Sequence, residues 1–233
     1  MDVPTLDILY EDNHCLAVNK PAGLASAHFQ GRDETVDRLV KAHLKDKYKK
    51  PGNVFLGVVQ RLDRPVTGVL LFARTSKAAA RLAEQFREGT VEKVYWAVVE
   101  GQGLPPAGSL ADWLGKDEEA HRVEVVPAGS PGARQALLHF QTRATHGGLT
   151  LLEVRPQTGR RHQLRVQLAH RGWPIHGDAR YGSVHTFGRG IALHARALTF
   201  LHPIRHDPVT LTAEVPRTWR GRFAHLLTRE GRP

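Results

Sequence analysis

The stretch "VVQRLDRPVTGVLLFART" (residues 58–75) places a charged segment, Arg61-Leu62-Asp63-Arg64-Pro65, directly before an apolar run containing Gly68. From Val66 to Ala73 the run has the length and the β-branched, apolar content of a buried strand. The next residues, "SKAAARLAEQFREG" (76–89), have a helical pattern. Leu82 and Phe86 fall four apart, Thr75 or Ser76 can cap the start, and Gly89 stands where a left-handed terminator is wanted. Turn, strand and helix therefore follow one another, and Asp63 sits at the entry to the strand.

Upstream, "DILY" (7–10) and "CLAVNK" (15–20) read as two strands joined at Glu11-Asp12-Asn13 and stopped by Pro21-Ala22-Gly23, a hairpin pattern. Downstream, "KVYWAVVEG" (93–101) alternates with a period of two, sending Val94, Trp96 and Val98 to one face and Tyr95, Ala97 and Val99 to the other. Tyr95 thus shares its face with small residues, which leaves room beside its ring. Residues 101–132, rich in Gly, Pro and charge, predict loops and edge strands. Strands are expected in "ARQALLHFQTRA" (133–144), "GLTLLEVRP" (148–156), "GIALHARALTFLHP" (190–203) and "VTLTAEVP" (209–216).

A helix is expected over 158–172, "TGRRHQLRVQLAHRG", capped by Thr158 and ended by Gly172, with Leu164 and Leu168 four apart and Arg161 and Arg165 projecting from one side. "TWRGRFAHLL" (218–227) predicts a short basic helix. Hairpins with scattered helices imply an α+β fold around a mixed, largely antiparallel sheet, in a single domain.

The chain has 233 residues, and its 33 Lys and Arg against 23 Asp and Glu leave a net charge of +10 with histidine neutral. That excess favours a polyanionic partner such as RNA, DNA or an acidic membrane. No apolar run approaches the ~18 residues of a membrane span, and the start lacks the pattern of a secretory signal. A soluble, cytoplasmic protein is the expectation. The one cysteine, Cys15, cannot form an internal disulfide and lies in an apolar run, so a buried free thiol is expected.

Asp63 has two readings. An aspartate just before Arg-Pro is commonly a turn former. Two flanking arginines, however, favour an ionised carboxylate, a form suited to act as nucleophile or base and unsuited to be a general acid near neutral pH. His162, His170 and His176 invite a metal reading, but His162 and His170 lie two helical turns apart, and no Cys or Glu completes a familiar ligand set. The lysines of "KAHLKDKYKKP" (41–51) suit phosphate contact or a solvated face equally. Arginines in "TGRRHQLR", "AHRG" and "TWRGR" recur in separate elements and make a better polyanion footprint. Rossmann, P-loop and G-x-S-x-G patterns are absent.

Five segments in order, "ILYEDNHCLAVNKPAGL", "QRLDRPVTGVLLFART", "EKVYWAVVEG", "PQTGRRHQLRVQLAHRGWPIHGDARYG" and "LHARALTFLHP", resemble the RluA-like family of RNA pseudouridine synthases across about residues 7–203. The resemblance implies a mixed sheet crossed by a cleft, and isomerisation of uridine in ribosomal or transfer RNA without metal or organic cofactor. It implies Asp63 as the catalytic aspartate, Tyr95 as the active-site tyrosine, and Arg165 as the arginine pairing with the aspartate. Leu164 would line the base pocket and Arg61 would fill the gap left by a flipped nucleotide, with Arg64, Arg161 and His162 as further RNA contacts. A monomer without an N-terminal S4-type domain or obligate protein partner is expected. Gln60, Gln167 and Trp173 stand where the family usually has histidines, which bears on RNA contacts and loop positioning. A catalytically silent RNA-binding protein on the same fold is the competing reading, and a metallohydrolase using the histidines is a third.

Overall fold

A computed structural model describes residues 6–27, 34–117 and 122–227. Its elements, in chain order, are β1 (Ile8–Glu11), β2 (Cys15–Lys20), α1 (Val36–Lys47), β3 (Gly57–Val58), β4 (Thr67–Ala73), α2 (Ser76–Glu88), β5 (Glu92–Glu100), β6 (Ala107–Asp117), β7 (Arg122–Val126), β8 (Arg134–His146), β9 (Leu149–Pro156), α3 (Gln163–His170), β10 (Leu193–Leu201), β11 (Pro208–Thr212), α4 (Arg217–Arg222) and α5 (Ala224–Leu227). The chain divides into two compact units, residues 1–92 with 195–215, and residues 93–194 with 216–233. The fold is α+β: in each unit largely antiparallel strands carry flanking helices.

In the first unit β1 pairs with β2 and β2 with β4, both antiparallel, and Lys20 lies opposite Gly68. An isolated parallel bridge between Ala25 and Thr35 gives this unit its mixed character. β4 is buried along its whole length, as its β-branched and apolar run requires. Cys15, Ala17, Val69 and Leu71 pack in one core with Leu82 of α2 and Phe200 of β10. Burial pushes the Cys15 thiol up to about 12, which makes it an inert core group.

The expected caps of α2 are present: Thr75 accepts from the Ala78 N–H, and Gly89 turns left-handed at φ 74. Gly68 has a different reason to be glycine. At φ +111 a Cβ there would meet the Ala195 carbonyl oxygen at 2.2 Å, so the approach of one backbone to another excludes any side chain. The lysine-rich stretch 41–51 largely belongs to α1, a helix whose Val36, Val40 and Leu44 are buried at a spacing of four. Lys41 pairs with Asp37, Lys47 with Glu11 and Lys49 with Asp46, so much of this charge is met within the protein.

In the second unit the strands run in the order β5-β9-β8-β6-β7, all antiparallel. β6, in the region expected to hold loops and edge strands, is an eleven-residue strand paired on both sides, and β7 is the edge. The expected terminal helix is two short ones, α4 and α5, anchored by the fully buried Trp219.

The expected helix over 158–172 is corrected. α3 begins only at Gln163, because His162 takes a left-handed conformation at φ 53 that cannot continue a helix backwards. Thr158 does not cap it; the Thr158 hydroxyl accepts from the Leu137 N–H of β8 and donates to the Gln163 side chain, which also accepts from the Arg160 N–H. Residues 158–162 are thus tied to β8. Arg161 lies outside the helix and is exposed while Arg165 is buried, so the two do not share a helix face. Gly172, at φ 78, does follow the helix end as expected.

Candidate active site

Asp63 begins a tight turn in which its carbonyl accepts from the Val66 N–H at 3.0 Å. The turn-former reading is therefore correct for the backbone, and the half-buried side chain retains its own possibilities. What the sequence reading missed is how firmly the residues on either side of Asp63 are held. The Ser26 hydroxyl donates to the Leu62 carbonyl at 2.7 Å and accepts from the Leu62 N–H at 2.9 Å. Gly23 N–H donates to the Arg64 carbonyl at 2.9 Å, and Arg64 Nε returns a bond of the same length to the Gly23 carbonyl.

Lys20 completes this grip from beneath. It is fully buried, and its ammonium donates to the carbonyls of Pro21 at 2.8 Å, Leu24 at 2.7 Å and Arg64 at 3.1 Å. Three acceptors match its three N–H groups. Burial pulls its pKa down to about 7, against which the Asp63 charge acts while Arg64 adds to the lowering. Asp63 is therefore flanked by backbone fixed at Leu62 and Arg64 and feels a buried cation. The only sequence signals for this grip were the "NKPAGLAS" turn residues, and nothing in their spacing says that they meet residues about forty positions later. Of the remaining expected residues in this unit, Arg61 is exposed at the same turn and Arg64 is exposed with its Nε on Gly23. Gln60 accepts a long bond, 3.4 Å, from the Leu71 N–H.

The second unit carries Tyr95, half-buried on β5 opposite Val154 of β9, and the residues of α3. Leu164 and Arg165 are both buried in the first turn of α3. Arg165 makes a side-on pair with Asp178, Nε to Oδ2 at 2.7 Å and Nη2 to Oδ1 at 2.8 Å. This fork geometry is the strong form of an Arg–carboxylate contact and, being buried on both sides, fixes the guanidinium in place. Tyr181 lies with its ring 5.0 Å from that guanidinium, and its hydroxyl bonds His162 Nδ1 at 2.7 Å. Arg165, His162, Asp178 and Tyr181 thus form one packed set. Asp178 and Tyr181 were not singled out in the sequence, although "GDARYG" lies close after the helix. Arg161 is exposed outside this set.

The three residues that depart from the family pattern have structural settings. Gln167 is fully buried and its amide donates to Leu110, Asp112 and Ala136, so it joins α3 to β6 and β8. Trp173 packs edge-on against Phe140 at 5.8 Å.

Among the described residues two groups have metal-ligand chemistry, and neither contains His162 or His170. In the first, Asp12 Oδ1 accepts from the N–H groups of His14 and Cys15, and Oδ2 contacts Tyr10, His202 and Arg205. His202 Nδ1 accepts from the Ile204 and Arg205 N–H groups, which leaves its Nε2 as the donor to Asp12. That group is closed by hydrogen bonds. The second, Glu100 with His176 and His185, lies in the second unit. Burial lowers the pKa of His176, with nearby Arg222 and His185 acting in the same direction and Glu100 opposing them.

Comparison with known proteins adds an independent line. A family model described as RNA pseudouridylate synthase matches residues 14–170. The ribosomal large subunit pseudouridine synthase D of Xylella fastidiosa is 37% identical over 230 residues, covering 92% of this chain and 67% of the relative. The tRNA pseudouridine synthase C of Haemophilus ducreyi is 34% identical, covering 94% of each chain. Among solved structures, human RNA pseudouridylate synthase domain containing 4 superposes with a TM-score of 0.76 at 25% identity, over 96% of this chain and 92% of that one. With a family model over most of its length and relatives above 30% identity along nearly all of it, this chain belongs to the RNA pseudouridine synthase family, isomerases that act on uridine in RNA.

Proposed function

We propose that this enzyme converts a uridine of ribosomal or transfer RNA to pseudouridine with Asp63 as the reacting carboxylate. The observation that carries the reading is the grip on Leu62 and Arg64 by Ser26, Gly23 and Lys20, which holds the backbone on both sides of one carboxylate. A reacting group held in place lowers the barrier by removing the entropy of finding its geometry. The isomerisation breaks the N1–C1′ bond, turns the detached uracil, and joins C5 to C1′ while the hydrogen at C5 passes to solvent and N1 takes up a proton. An ionised carboxylate can open this sequence by attack at C1′, by addition at C6, or by taking the proton at C2′. Tyr95 suits a flat contact for the detached base, with a hydroxyl available for hydrogen bonding. Arg165, locked by Asp178 and Tyr181, offers a fixed positive charge.

The target uridine has to leave its stack, at a cost of a few kcal/mol that phosphate contacts and a wedging side chain offset. The exposed Arg61 fits the wedge, and the net charge of +10 fits the phosphate contacts. The names of the relatives point to large-subunit ribosomal RNA and to transfer RNA as the substrate classes to compare.

The test uses unmodified ribosomal and transfer RNA transcripts carrying tritium at uridine C5. The wild-type chain is expected to release tritium from one class and to leave a carbodiimide-mappable pseudouridine, whereas Asp63→Asn releases none. Release by Asp63→Asn at the wild-type rate would overturn the assignment of Asp63.

A further inference from the structure

Glu100 ends β5 with three side chains on one oxygen. Its Oε1 lies 2.7 Å from the Ser183 hydroxyl, 2.8 Å from His176 Nδ1 and 3.0 Å from His185 Nδ1. Ser183 Oγ in turn accepts from the Gly177 N–H at 2.9 Å, so its proton is directed to Glu100. The framework is tight: Gly177 has φ +86, and a Cβ there would lie 2.4 Å from Phe187 Cβ. The two imidazoles stack at 5.0 Å, and the edges of Phe187 and Phe223 close His176 in at 5.9 and 5.6 Å. His185 is half-exposed, with 51% of its side chain accessible, and forms the solvent side of the cluster.

His176 is the unusual member. Its side chain is 3% exposed, and neither ring nitrogen makes a properly directed hydrogen bond, even though Nδ1 lies 2.8 Å from a carboxylate oxygen. The in-plane axis of Nδ1 carries either its proton or its lone pair and is not aimed at the carboxylate oxygen 2.8 Å away, so the nitrogen and the oxygen both remain open to an ion placed to one side of them. An imidazole ligates metals through an unprotonated ring nitrogen. The Asp12–Cys15–His202 group provides the contrast, since there the acceptors and donors are directed at one another.

We propose that Glu100, His176 and His185 form a site for a divalent transition-metal ion, with Zn2+ the best match, that fastens the 183–190 segment to the end of β5. Two imidazole nitrogens and one carboxylate oxygen are a donor set Zn2+ accepts, with a fourth position open on the His185 side for water. The three donor atoms lie within 4.8 Å of one another. Tetrahedral bonds of ~2.0–2.1 Å set the ligands ~3.4 Å apart, so the cluster opens by about half an ångström on binding. The half-exposed His185 can supply that movement. The site belongs to the second unit and contributes no step to the uridine chemistry.

The test is equilibrium dialysis of the chelator-stripped full chain against Zn2+, with metal analysis, and against Co2+, whose visible spectrum reports tetrahedral coordination. One ion per chain is expected in the wild type, with raised thermal stability on addition of Zn2+. Glu100→Gln and His185→Ala should each weaken binding tenfold or more, while His170→Ala, an exposed histidine outside the cluster, leaves it unchanged. His176→Ala is avoided because that buried ring packs against both Phe187 and Phe223. Absence of a stoichiometric ion in the wild type, or affinity unaltered by Glu100→Gln and His185→Ala, overturns the proposal.

Discussion

The turn at Asp63 and the loop at His176–His185 hold chemically useful side chains in opposite ways. At Asp63 the grip falls on the backbone: Ser26 binds the N–H and carbonyl of Leu62, and Gly23 and Lys20 bind the carbonyl of Arg64. At His176 the grip falls on the side chains, gathered around one oxygen of Glu100. A backbone clamp makes its bonds without the side chain of the residue between its jaws. A side-chain cluster has no such separation, because its cohesion changes with every proton or ion it gains. The first arrangement suits a reacting group and the second a binding site.

Substitutions can break this contrast, and the largest effect falls on the clamped residue itself. Asp63→Asn should lower tritium release from labelled RNA by more than about a thousandfold, the scale lost with a reacting acid–base or nucleophilic group. The bonds of the clamp to Leu62 and Arg64 do not use the Asp63 side chain and should survive the substitution. Lys20→Met comes next, because it leaves three carbonyls without their donor, and a loss of ~2–3 kcal/mol in urea unfolding is expected.

Lys20 also has a pH signature. Its pKa in the fold, about 7, lies below the ordinary 10.5, so between those values the unfolded chain binds more protons. Stability from this group therefore rises from about pH 7 to about pH 10.5. Lys20→Met should flatten that rise, which urea melts at both ends of the range would register. Ser26→Ala removes both bonds to Leu62 and should cost ~1–2 kcal/mol, with turnover falling about tenfold as the turn loosens. A turnover unaffected by Ser26→Ala would show that the clamp serves stability alone. The smallest effect belongs to the other region: His185→Ala in metal-free protein should change stability by about 0–1 kcal/mol, as for a solvent-exposed ion pair.

Local pattern and local cap chemistry carry much of the fold. The β1–β2 hairpin, β4, and α2 with Thr75 and Gly89 at its ends each depend on residues a few positions apart, and all form as expected. α1 was readable in principle, since Val36, Val40 and Leu44 repeat every four residues, but the lysines between them mask the stripe. The start of α3 was not readable. It depends on Thr158 and Gln163 bonding Leu137, more than twenty residues earlier, and on a left-handed His162, a conformation uncommon for any residue but glycine.

The candidate site divides in the same way. Asp63, Tyr95 and Arg165 stand out because they sit in specific segments whose resemblance to one enzyme family is strong, and family membership follows from the sequence itself. Their supports do not stand out. Lys20 and Ser26 meet residues 44 and 36 positions away, Asp178 reaches Arg165 across a turn, and Glu100 reaches Ser183 across 83 residues. The sequence by itself determined the family and which residues are candidates for the chemistry, because both lie in side-chain identity and short-range pattern. Only the tertiary structure decided which groups hold or pair with them, because the burial and directionality that give hydrogen bonds and ion pairs their strength arise when distant segments pack.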